Sequence, residues 1–126
     1  MGRLLRSSAA IVRFGQSFKY SDELIAPALI RIECTTAFAR LVHTRQMNEA
    51  YGRLQVGRLL SLPIRIVEHG SLYPRAFDIA RALGKSEAYD ALYLAAAEHE
   101  RAELLTVDGG MRDAAARLGI RATLVR

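Results

Sequence analysis

The chain has 126 residues, the size of one domain, and its 51% hydrophobic and 25% charged residues are the proportions of a folded chain, which excludes a disordered one. Eighteen Lys+Arg against thirteen Asp+Glu leave a formal charge of +5, and all the cations except Lys19 and Lys85 are Arg. The single Cys34 excludes an internal disulfide framework and a Cys-based zinc site, and no apolar run approaches the roughly 18 residues of a membrane span.

Arginine pairs in a planar, bidentate way with phosphate or carboxylate, so the basic excess admits an anionic partner; a coding bias towards Arg explains it equally well. Residues 1–14, MGRLLRSSAAIVRF, are interrupted by Arg6 and Arg13 and do not read as a secretory signal. The expectation is one domain over residues 1–126, in the cytoplasm and off the membrane.

In chain order, Leu24-Ile25-Ala26 reads as a short strand stopped by Pro27, a residue favoured in the first turn of a helix. Ile30, Cys34, Ala37, Phe38 and Leu41 then recur at helical spacing and form one apolar stripe to about His43. A second helix is predicted over 46–60, with Met47, Ala50, Tyr51 and Leu54 facing inward. Pro63 breaks the chain, and Ile64–Val67 alternates as a strand. Ser71 is placed to cap a third helix over 72–83, with Leu72, Ala76, Ile79, Ala80 and Leu83 inward and Gly84 ending it. An Ala-rich helix follows over 89–101, then a buried strand over 104–107 ending at Asp108-Gly109-Gly110. A short helix (111–118) and a last strand (120–125) complete the chain. Strands separated by helices over short connections predict an α/β fold with a parallel-rich sheet covered on both faces.

In such sheets function collects beyond the C-terminal ends of the strands. Asp108 follows a buried strand and is either a crevice acid or a turn-forming aspartate. Asp90 falls in the first turn of a helix, where the dipole alone favours an acid. Glu33 lies between Ile30 and Ala37, at the margin of an apolar stripe, where a carboxylate is paired, bound or reaching for solvent. If the three converge, their repulsion calls for a hard divalent cation such as Mg²⁺ or Mn²⁺. Such an ion activates water and stabilises the charge of phosphodiester cleavage.

Three stretches carry a resemblance: LIAPALIRIECTTAFARLV at 24–42, AYDALYLAAAEHERAELLTVD at 88–108, and the amphipathic helix leading to RLGIRATLV at the end. They resemble the PIN-domain family, specifically the VapC-type toxins of bacterial toxin–antitoxin pairs. The resemblance implies a PIN-like three-layer α/β sandwich with a mainly parallel central sheet. It also implies Mg²⁺-dependent (or Mn²⁺-dependent) endoribonuclease activity on an RNA substrate, a cognate antitoxin protein and a homodimer. By position, Asp90 and Asp108 would bind metal, and Glu33 would bind metal or orient the attacking water. Asp113 is a further acid, either in an outer shell or simply solvated.

The chain departs from the family at its start. Members begin with an apolar strand ending in an acid of a D-x-S or D-A-S pattern, whereas this chain reads Leu4-Leu5-Arg6-Ser7-Ser8, with Arg6 in the acid's place. Residues 1–23 form an atypical N-terminal segment, and Asp22 and Glu23 precede a strand and belong at its opposite edge. The alternative expectation is therefore a catalytically degenerate PIN-like module that binds protein or RNA without cutting it, with Arg6 paired to the remaining carboxylates. Without a first strand the sheet would lose its centre and need rearrangement or a partner. His43, His69 and His99 read as surface residues, and Tyr89 and Tyr93, one turn apart, as core residues, with stacking on bases the alternative. Arg40, Arg45, Arg53 and Arg58 form either a phosphate-facing rim or a solvated face.

Overall fold

The computed structural model describes residues 11–13, 24–106 and 108–124. The described elements run β1 (Ile11–Arg13), β2 (Leu24–Pro27), α1 (Leu29–His43), α2 (Glu49–Leu60), β3 (Ile64–Val67), α3 (Leu72–Ala82), α4 (Tyr89–Glu100), β4 (Glu103–Thr106), α5 (Gly109–Arg117) and β5 (Ala122–Leu124). The strands form one sheet in the order β3-β2-β1-β4-β5. β2 pairs parallel with β3, and β4 with β5, while β1 lies antiparallel between β2 and β4. Four strands therefore share one direction, and the sheet is mainly parallel.

Successive strand residues face opposite sides. Ile25, Ala26 and Pro27 of β2 are all buried, as are all four residues of β4, so both faces of the sheet are covered. That is the three-layer sandwich expected from the sequence. α4 buries Ala91, Tyr93, Leu94, Ala95, Ala96 and Ala97, which is more than one stripe: its alanines let it sit close between neighbours. A bidentate pair, Arg75 Nε to Glu98 Oε1 at 2.7 Å and an Arg75 terminal amine to Glu98 Oε2 at 2.9 Å, ties α3 to α4.

Most boundaries follow local chemistry. The stripe of α1 buries Ile30, Cys34, Ala37 and Leu41, and that of α3 buries Leu72, Ala76, Ile79 and Ala80, as their spacing predicts. Gly84 takes φ +67° beyond α3, its N–H donating to Arg81 O while Lys85 N–H donates to Ala80 O, the paired bonds of a Schellman end.

Four expectations are corrected. Pro27 is not helical: it is the last residue of β2, paired with Val67, and α1 begins two residues later. The second helix starts at Glu49 rather than 46, because the Asn48 side chain caps it by accepting from Tyr51 N–H at 2.8 Å. Its inward face is also different. Tyr51 and Leu54 are 48% and 49% exposed, and the buried residue is Gly52, where a Cβ would stand 2.7 Å from Val42 Cγ2. The close approach of α1 and α2 sets that face, and a glycine contributes nothing to an apolar pattern. Ser71, finally, makes no cap bond; its hydroxyl lies 2.7 Å from His69 Nδ1.

The central position of the sheet is held by Ile11–Arg13, a strand not predicted there. Ile11 pairs with Leu105 and Arg13 with Glu103, so β1 begins at the edge where β2, β3, β4 and β5 end. Arg6, Asp22 and Glu23 lie outside the described residues.

Candidate functional site

α1 leaves the C-terminal end of β2, and its second turn carries Glu33 beside the buried Ile30 and Cys34. That position leaves the carboxylate half-buried. From α4, the fully buried Tyr93 reaches across and donates its hydroxyl proton to Glu33 Oε1 at 2.5 Å. Asp90 lies three residues earlier on α4, and residues three apart share a helix face. Its negative charge therefore acts on the same carboxylate. Burial pushes the Glu33 carboxyl above its ordinary value, the Tyr93 hydrogen bond opposes the shift, and the Asp90 charge adds to it. Burial and the Glu33 carboxylate hold the Tyr93 hydroxyl far above the usual tyrosine range, so it stays a proton donor to Glu33.

Glu33 and Asp90 line a cavity of about 530 Å³ between α1, the turn after α3 and the start of α4. Glu87 adds a third acid to its wall, Arg40 and Lys85 add two cations, and Thr36 and Ser86 add hydroxyls. Tyr89 and Ile32 contribute exposed apolar surface.

Asp108 is held elsewhere. Its N–H donates to Thr106 Oγ1 at 3.0 Å, and its Oδ1 accepts from Gly110 N–H at 2.9 Å, so the side chain caps α5. It is not part of that cavity's lining. The structure thus brings together two of the three predicted acids. Among the described residues, no three His, Cys, Asp or Glu side chains stand close enough to hold a metal ion. The Glu33–Asp90 pair itself fits Mg²⁺ or Mn²⁺: both offer hard oxygen donors, their charges interact unfavourably, and Mg²⁺ is commonly held by one or two carboxylates with water retained.

Of the predicted arginine rim, Arg40 lines the cavity while Arg45, Arg53 and Arg58 do not; Arg53 stands 3.7 Å from Glu49 in an exposed pair. Asp113 is an exposed residue of α5, 3.7 Å from Arg112 Nε. Tyr89 is a correction. Tyr93 is fully buried as expected, but Tyr89, the first residue of α4, is 53% exposed on the wall of the cavity. Three participants were not singled out from sequence: Tyr93 as the donor to Glu33, and Lys85 and Glu87 in the turn before α4. The i, i+3 spacing of Asp90 and Tyr93 was the one signal available. His69 and His99, read as separate surface residues, meet with ring centroids 5.0 Å apart.

No helix among the described residues is long and apolar enough to cross a membrane. A search of curated proteins finds no match to the chain, and neither does a search of solved structures. The family model described as PIN domain matches residues 5–117. PIN domains are generally metal-dependent nucleases and typically use Mg²⁺ or Mn²⁺. The match runs from ahead of β1 to the last residue of α5, most of the chain, and the chain belongs to the PIN-domain family.

Proposed function

We propose that the chain is an Mg²⁺-dependent endoribonuclease of the VapC type, cleaving RNA phosphodiester bonds and neutralised by a cognate antitoxin. The observation that carries this reading is the Glu33–Asp90 pair, two interacting carboxylates in an open cavity that also holds Arg40 and Lys85. Glu33 and Asp90 would hold the ion. When bound, a divalent cation supplies an activated water and charge stabilisation at the scissile phosphate. Tyr93 fixes the direction of the Glu33 carboxylate and keeps a proton on its own oxygen. Asp108 is proposed as the third acid, through the oxygen left over by its capping bond to Gly110. The net charge of +5 favours approach to RNA phosphate. Exposed Tyr51 and Leu54 on α2 offer an apolar face for a homodimer partner or an antitoxin helix.

The purified protein is expected to cut single-stranded RNA with Mg²⁺ or Mn²⁺ and to stop when the metal is chelated. Asp90→Asn is expected to lower the cleavage rate by about 100-fold or more. Cleavage that survives chelation, or an Asp90→Asn protein as fast as wild type, would overturn the reading. A second reading, a degenerate PIN-like module that binds without cutting, is favoured by the separation of Asp108 from the cavity and by β1 starting at the edge where a parallel strand would end. It predicts RNA or protein binding with no metal-dependent cleavage in the same assay.

A further inference from the structure

Tyr89 and Tyr93 are one turn apart on α4, yet one ring is fully buried and the other is 53% exposed on the wall of the cavity that holds Asp90. Single exposed aromatics are ordinary. This one is adjacent in sequence to a carboxylate of the candidate site, and Ile32, 58% exposed on α1, adds a second apolar surface to the same cavity. The same cavity also holds two cations, Arg40 and Lys85. Arg53, Arg65, Arg75 and Arg112 are engaged by Glu49, Glu100, Glu98 and Asp113. Among the described residues, no ion pair engages Arg40 or Lys85. They come from different parts of the chain, Arg40 from α1 and Lys85 from the turn behind Gly84, and converge on one cavity.

We propose that the cavity contains a nucleotide subsite, in which an unpaired RNA base stacks on the Tyr89 ring while Arg40 and Lys85 hold an adjoining phosphate. The inference rests on the ribonuclease reading and adds to it the residues that would hold one nucleotide of the substrate. An exposed ring accepts any base by its face, and two cations beside it, neither in an ion pair among the described residues, suit one phosphate. A cavity of about 530 Å³ is of the size that encloses one small ligand, and bases already stacked in a duplex cannot enter it.

The test is binding, followed by fluorescence anisotropy with chelator present so that nothing is cut, of an unstructured oligoribonucleotide of about twelve nucleotides. The same strand annealed to its complement is the control. Tyr89→Leu is expected to weaken single-strand binding by about tenfold, with Tyr89→Phe close to wild type and duplex binding unchanged. Arg40→Gln and Lys85→Gln are each expected to reduce the slope of log affinity against log salt by about 0.7. An oligonucleotide carrying 2-aminopurine reports the stacking directly, its fluorescence quenched by wild type and not by Tyr89→Leu.

Equal single-strand affinity for wild type and Tyr89→Leu overturns the subsite, as does an equal loss on duplex or a wild-type protein that binds no oligonucleotide. Cleavage is scored separately. Tyr89-dependent binding by a protein that cuts nothing leaves the subsite standing and removes the ribonuclease reading. Metal-dependent cleavage with Tyr89-independent binding does the reverse.

Discussion

Glu33 is a carboxylate that its surroundings disfavour in the charged form and Tyr93 partly rescues. Burial and Asp90 raise its pKa above the ordinary 4.5, so the folded chain holds that proton more tightly than the unfolded chain does. Folding stability from this group is therefore present below the ordinary value and is lost as pH rises through the raised one. The cost grows as pH rises above the ordinary glutamate value unless a cation offsets it. Glu33→Gln keeps an oxygen for the Tyr93 hydroxyl and removes the charge. In chelator, that variant is expected to show a higher urea midpoint than wild type at neutral pH, the gap closing as pH falls below the ordinary glutamate range. A lower midpoint at neutral pH would show that the charge is already compensated. Glu33 itself was legible in the sequence as an acid at the margin of an apolar stripe. Its partner was not, because Tyr93 is sixty residues away and its helical spacing speaks only for burial.

At the scale of elements, a helix shows its inward face in sequence only where large apolar residues make the contact. α3 is such a helix, and its predicted stripe is the buried one. α2 is not, since the contact with α1 is made at Gly52 and two of the large residues expected inside, Tyr51 and Leu54, face outward. A Cβ at Gly52 must displace Val42 Cγ2, 2.7 Å away, so Gly52→Ala is expected to cost about 1–3 kcal/mol, read from the urea midpoint and slope. No loss of stability would mean that the two helices can part without penalty. The same limit explains Tyr89. Helical spacing assigns Tyr89 and Tyr93 to one face, yet Tyr89, at the first position of the helix, is exposed on the cavity wall.

Across the whole molecule, the short strand β1 joins two parallel pairs that would otherwise present open edges at β2 and β4. Val12 pairs with Ile25 on one side and Leu104 on the other. Proline in a central strand removes a ladder donor, so Val12→Pro is expected to cost about 3 kcal/mol or more in chemical denaturation. A fully stable Val12→Pro protein would show that the two halves hold together without the β1 ladder. The antiparallel run of β1 also bears on the site. A parallel central strand would end at the functional edge, whereas β1 starts there, and the acid of the family's first strand has no counterpart in the described sheet.

The sequence by itself determined the alternation of strands and helices, the apolar stripes of α1 and α3, the glycine that ends α3 and the three acids worth testing. Those features depend on spacings within about a dozen residues, and local sterics and burial act at that range. Only the tertiary structure decided which acids meet. Glu33 and Asp90 share a cavity because α1 and α4 converge there, and Asp108, whose Oδ1 caps α5, is not in its lining. It also decided that Tyr89 faces solvent, that Gly52 sets the packing of α2, and that β1 runs against its neighbours. Each of these turns on contacts between distant segments, where shape and available hydrogen-bond partners outweigh the pattern of any one element.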